Sequence, residues 1–107
     1  MAAIDMTNEM FRNMIQAGNP VLVDFWAPWC GYCRQISSAY DRIALQYGDS
    51  LVVGKINIDE EPHLAEKEQI EIIPTLVLYR DGQAIGSIVA PESKLMIEDF
   101  IQETLSM

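Results

Sequence analysis

Basic residues are scarce in this 107-residue chain: seven Lys and Arg stand against sixteen Asp and Glu, for a net charge of -9. With no basic stripe either, the balance excludes nucleic-acid binding, which depends on neutralising phosphates. Nowhere do about eighteen apolar residues run together, so no membrane-spanning helix is encoded. The opening Met1-Ala2-Ala3-Ile4-Asp5-Met6 has neither a basic n-region nor an apolar h-region, and the chain reads as a cytoplasmic monomer with no membrane association. One histidine, His63, and two cysteines fall short of the roughly four ligands that a zinc or iron-sulfur site takes, leaving only a cluster shared between subunits. No Gly-rich dinucleotide fingerprint occurs. Neither a metal nor a nucleotide cofactor is therefore expected. Repeats, low-complexity tracts and linkers are missing too, which gives one domain over 1–107 with a single core and no need of structural disulfides.

The two cysteines are placed with purpose. They sit three apart in Trp26-Ala27-Pro28-Trp29-Cys30-Gly31-Tyr32-Cys33, directly after the apolar run Val21-Leu22-Val23-Asp24-Phe25. A strand, a turn and then helical periodicity starting at the cysteines would put Cys30 at a helix N-terminus, where unpaired N–H groups and the helix dipole favour a thiolate. A thiolate attacks disulfides, and a second thiol one turn away can resolve the mixed disulfide. As N-cap, the Cys30 sulfur could accept from the amides of both Tyr32 and Cys33, where a proline at position 32 would supply only one donor.

Half the residues are hydrophobic, and their period changes along the chain. A short strand near Ala2 to Asp5 precedes a helix capped by Thr7, with Met10, Phe11, Met14 and Ile15 on one face and Gly18-Asn19-Pro20 as its end. Residues 21 to 26, apolar nearly throughout, read as a central strand covered on both faces. From Cys30 to Tyr47 the positions Ile36, Tyr40, Ile43 and Tyr47 recur at helical spacing, with Gly48 as the stop. Leu51 to Ile58 reads as strand, and Pro62 can open a short helix because its missing N–H is harmless there. Thr75 to Arg80 and Gln83 to Val89 flank Asp81-Gly82, a two-residue hairpin signal. Ser93 caps a last helix with Ile97, Phe100, Ile101 and Leu105 inward. The order β-α-β-α-β-α-β-β-α makes one α/β unit.

Three separated segments, Val23-Asp24-Phe25-Trp26-Ala27-Pro28-Trp29-Cys30-Gly31-x-Cys33, Lys55-Ile56-Asn57-Ile58-Asp59 and Ile73-Pro74-Thr75, together resemble the thioredoxin family along the whole chain. The resemblance implies a thioredoxin fold, a central five-stranded mixed sheet flanked by four helices, and a dithiol that reduces disulfides in other proteins. It makes Cys30 the exposed nucleophile, Cys33 the buried resolving thiol, Asp24 a buried acid beneath them, Lys55 its neighbour, and Pro74 a cis proline facing the disulfide. It also implies re-reduction by a flavin-dependent reductase of the thioredoxin-reductase type. Four positions depart from the family pattern. Tyr32 and Ser38 stand where prolines are usual, and Ile72 and Ala90 where glycines are usual beside the substrate groove.

Several residues carry two readings. Asp24 lies in an otherwise apolar strand, where an unpaired carboxylate is expensive and should be partly neutral, hence a proton acceptor for Cys33. The alternative is an edge-facing Asp paired with Lys55, itself either a plain surface lysine or a group that tunes Asp24. Trp29 is read as surface over Cys30 that meets partners. Gly31, Tyr32, Ile73, Pro74 and Ala90 complete the substrate groove, with the Ile73 backbone pairing an extended substrate strand. Met6, Met10 and Met14 read as core filling over a copper face, and His63 as solvated. The acidic cluster Asp59, Glu60, Glu61, Glu66, Glu68 and Glu71 reads as a solvated face that could also steer basic partners. The Gly-Tyr dipeptide keeps glutaredoxin-like, isomerase or oxidase chemistry open. A clamp built on Trp29 and Ile73, with incidental cysteines, is the reading from outside redox chemistry.

Overall fold

The computed structural model describes residues 3–107. It contains strands β1 (Ile4–Asp5), β2 (Val21–Trp26), β3 (Val52–Asn57), β4 (Thr75–Arg80) and β5 (Gln83–Val89), with helices α1 (Asn8–Ile15), α2 (Gly31–Tyr47), α3 (Pro62–Lys67) and α4 (Lys94–Leu105). The strands form one sheet in the order β1-β3-β2-β4-β5. Strands β1, β3 and β2 are parallel, β4 runs antiparallel to β2, and β5 antiparallel to β4. This is the mixed five-stranded sheet with four helices that the resemblance implies. The first strand is shorter than its expected span, whose Ala2 lies outside the described residues, and β3 loses one residue at each end of the span 51–58.

Strand β2 occupies the middle of the sheet and shows why its sequence is apolar on both sides. Leu22 enters a core with Ile36, Tyr40 and Ile43 of α2 and Ile97 and Ile101 of α4. Val21, Val23 and Phe25 enter the opposite core with Phe11 and Ile15 of α1 and Leu64 of α3. The period of two therefore feeds two layers, and Asp24 shares the face of Leu22, beneath α2. Met6 is buried, Met10 and Met14 pack against the same core as Phe11, and a Cβ at Gly54 would run into the Met6 thioether. The methionine row is core filling.

Local signals agree with this packing. Thr7 Oγ1 accepts from the Met10 amide and Ser93 Oγ from the Met96 amide, the first-turn caps expected of those residues. Pro62 occupies the first turn of α3. Asp81 and Gly82 have φ of 55° and 81°, the left-handed pair that a two-residue hairpin turn demands. Tyr40 adds a tie across layers: its hydroxyl donates to the Gly54 carbonyl at 2.6 Å and reaches the Leu22 carbonyl at 3.2 Å, pinning α2 to β3 and β2. Tyr40→Phe should therefore cost about 1–2 kcal/mol in urea unfolding with an unchanged m-value. A loss near zero would mean that the two carbonyls are already satisfied by their ladders.

Candidate active site

The carboxyl end of β2 leads through Ala27-Pro28-Trp29 into α2, and Cys30 stands at the junction. Its backbone is extended, at φ -85° and ψ 108°, and it is the N-cap of α2. The Cys33 amide donates to Cys30 Sγ at 3.1 Å. Cys30 and Cys33 are joined as a disulfide with their Cα atoms 5.2 Å apart. Cys30 is half-buried, whereas Cys33 is 3% exposed, so an incoming group can reach only the first sulfur. The expected second donor, the Tyr32 amide, is not there: among the described residues the Cys33 amide alone bonds that sulfur. The helix starts at Gly31, which makes Cys33 the third helical residue and places its amide under the cap side chain, where N-cap bonds form.

Tyr32 acts through its side chain instead. Its phenol donates to the Pro91 carbonyl at 2.9 Å and its ring packs against the core under α2 and α4. The first turn of α2 is thereby strapped to the corner between β5 and α4. The register brings the other groove residues to the same end of the sheet. Phe25 pairs with Thr75, and Thr75 with Val89, so Pro74 and Ala90 lie beside the carboxyl end of β2. The Ile73–Pro74 bond is cis. The Pro74 carbonyl accepts from the Ala90 amide at 2.9 Å, and the Thr75 hydroxyl donates to the Ile72 carbonyl. Ala90 has φ 46°, a conformation in which a Cβ costs about 1 kcal/mol. Ser38 is exposed on α2. Trp29 is 66% exposed and its indole N–H donates to Asp59 Oδ2 at 3.0 Å, which draws Asp59 out of the acidic cluster and into the site. Nothing in the sequence signalled that bond.

Beneath the disulfide, a cavity of about 230 Å³ is lined by Asp24, Cys33, Ser37, Tyr40, Asp41 and Lys55, together with Trp26 and Arg34. Asp24 is 3% exposed, and among the described residues its Oδ1 has no hydrogen-bond partner. Burial pushes its carboxyl up to about 7, against a smaller opposing pull from Lys55. The Lys55 ammonium pairs with Asp5, 4.0 Å away, and lies 5.0 Å from the Trp26 ring centroid. The edge-facing alternative for Asp24 is thus set aside by its burial. Ser37 and Asp41 follow Cys33 at helical spacing, and that period was the available signal for their place on the cavity wall. His63 is exposed on α3. Among the described residues no group of three His, Cys, Asp or Glu side chains is placed to hold a metal ion, and no helix is long and apolar enough to cross a membrane.

A half-buried N-cap cysteine bonded to a buried partner, with a buried carboxyl in the cavity beneath and on this sheet, defines a thiol-disulfide oxidoreductase of the thioredoxin fold. The family model described as Thioredoxin matches residues 2–103, and the chain belongs to the thioredoxin family. It is 39% identical over 104 residues to thioredoxin 1 of Synechococcus elongatus, covering 96% of this chain and 97% of that one. Against the thioredoxin of Griffithsia pacifica it is 42% identical over 94 residues, 88% of this chain and 86% of that one. Its structure superposes on oxidised mitochondrial thioredoxin 3 of Saccharomyces cerevisiae with a TM-score of 0.83 at 30% identity, over 94% of each chain.

Two stability predictions arise from this geometry. Between the ordinary carboxyl value of 3.8 and about 7, folded Asp24 holds a proton that the unfolded chain has released, so this group destabilises the fold as pH rises through that window. At about 1.4 kcal/mol per pH unit, Asp24→Asn should gain roughly 3–4 kcal/mol on the wild type between pH 4 and pH 8. Parallel stability-against-pH curves for the two proteins would contradict a neutral buried carboxyl. Ala90→Gly should raise stability by about 0.5 kcal/mol, as relief of the left-handed backbone outweighs the added chain entropy. A fall of similar size would show that Ala90 sits there without strain.

Proposed function

We propose that the chain works in the reducing direction, as a protein-disulfide reductase and electron carrier. The observation that carries this reading is the half-buried N-cap residue Cys30 joined by a disulfide to the buried Cys33. In the dithiol form the Cys30 thiolate attacks one sulfur of a partner disulfide, forming a mixed disulfide and expelling the partner's other sulfur as a thiolate. Cys33 then loses its proton to the Asp24 carboxylate and attacks Cys30 Sγ. The second partner sulfur leaves and takes up a proton, and the Cys30–Cys33 disulfide forms. Two electrons have passed to the partner. A carboxyl poised at about 7 suits that transfer, since an acceptor works best when its affinity for the proton lies near the working pH. Lys55, through its pull on Asp24, tunes the acceptor.

Trp29, Gly31, Tyr32, Ile73, Pro74 and Ala90 form the surface that receives the partner. Exposed Trp29 and Ile72 supply apolar contact, and the Ile73 backbone pairs with an extended partner segment. The disulfide itself is the whole redox group, so electrons come from another protein, a flavoenzyme of the thioredoxin-reductase type. The protein acts as a monomer in a reducing compartment, the cytoplasm. Insulin reduction with a dithiol as electron source tests the cycle. Cys30→Ser should lower the rate at least about a hundredfold, and Cys33→Ser should accumulate a mixed disulfide on Cys30. Activity that survives Cys30→Ser would overturn the reading in favour of a clamp whose cysteines take no part.

A further inference from the structure

Three charged residues lie in one row across the parallel half of the sheet. Asp5 of β1 is in register with Lys55 of β3, and Lys55 with Asp24 of β2. Residues in register on neighbouring strands project from the same face, so the row runs from the exposed edge to the buried centre, with the only cation in the middle. The ammonium lies on the edge side, 4.0 Å from Asp5 Oδ1 and 5.0 Å from the Trp26 ring centroid. Among the described residues it makes no ion pair with Asp24, whose Oδ1 stays unpartnered.

The other groups around Asp24 leave Lys55 as its movable partner. From α2, Cys33, Arg34, Tyr40 and Asp41 line the shared cavity. Arg34 is committed to the Pro28 carbonyl at 2.8 Å, Asp41 accepts from the Ala3 amide, and the Tyr40 hydroxyl is held by backbone carbonyls. On the β4 side Asp24 is in register with Leu76, which carries no charge. A lysine held between two carboxylates is shared, and whichever carboxylate draws it closer deprives the other.

We propose that Asp5 is a positioning residue that holds the Lys55 ammonium away from Asp24 and so sets how readily Asp24 accepts the proton of Cys33. Its kinetic consequence rests on the reading of Asp24 as that acceptor. Asp5 acts through Lys55 and touches neither sulfur. Its negative charge and its hold on the ammonium act in the same direction, since both disfavour an ionised Asp24. Solvent around the exposed Asp5 keeps the effect modest.

The test is a carboxyl-carbon NMR titration of Asp24 in the oxidised protein, where Cys33 does not titrate. Asp5→Asn keeps the shape of the side chain and should lower the Asp24 midpoint by about half a pH unit, roughly a threefold rise in its ratio of ionised to protonated form at fixed pH. In a Lys55→Gln background only the direct effect of the solvent-exposed Asp5 charge is left, and the same change should move the midpoint by less than half as much. An unmoved midpoint in the Lys55 protein overturns the inference. So does an equal shift in both backgrounds, which would show Asp5 acting without the lysine. In the wild-type background, the pH profile of mixed-disulfide resolution should move with the carboxyl. If the carboxyl midpoint moves and the profile stays fixed, Asp5 positions Lys55 as stated, and it is the role of Asp24 as acceptor that fails.

Discussion

Everything at the active end of this molecule is arranged around the change from strand to helix at Cys30. Strand β2 ends at Trp26 and α2 begins at Gly31, so Cys30 is held in extended backbone while the helix starts after it. That conformation lets its sulfur accept the Cys33 amide, satisfying one of the donors every helix leaves open. The same bond brings the two sulfurs together and gives them opposite surroundings, one at the surface and one in the core. An ordinary cap of serine or aspartate would stabilise the helix equally well. A cysteine turns the cap into a reacting atom, placed by backbone geometry alone.

The cost of this arrangement falls on Asp24. A carboxyl without a partner for Oδ1, in a strand flanked on both sides by other strands, works against stability, as buried polar groups do. The fold carries it because Val21, Leu22, Val23 and Phe25 of the same strand are fully buried and fill two cores. Stability is thus supplied by the residues on either side of the group that reduces it. The cavity between α2 and the sheet keeps Asp24 close to Cys33 without collapsing onto it. Among the described residues Lys55 is the only cation in register with it, and that lysine is shared with a second carboxylate at the sheet edge.

The fold was legible where the information is local. Caps at Thr7 and Ser93, proline at the start of α3, the Asp81-Gly82 turn and the change from period two to period 3.6 each depend on neighbours within a few positions, and each is found where the residues place it. The sulfurs, the buried acid and the cis proline were legible from three motifs taken together. What escaped were contacts between residues far apart in the chain. The Tyr32 phenol meets Pro91, the Trp29 indole meets Asp59, and Asp5 meets Lys55, and no spacing announces any of them because the sheet register creates them. The Tyr32 amide illustrates the reverse error. The motif offers two amides to the sulfur, but a cap side chain lies over one amide, and here it is that of the third helical residue, Cys33.

The departures from the family pattern gather on one rim. Ile72 is exposed, Ala90 holds a backbone conformation suited to glycine, and the Tyr32 phenol joins the helix to the next corner. The rim differs while the chemistry beneath it is kept, so partner choice is where this chain should diverge from its relatives. The central claim is that Cys30 attacks and Cys33 waits. Brief alkylation of the fully reduced protein with iodoacetamide at neutral pH, followed by peptide mass mapping, tests it directly. The account predicts label on Cys30 at least about tenfold ahead of Cys33. Equal labelling, or label first on Cys33, would contradict it.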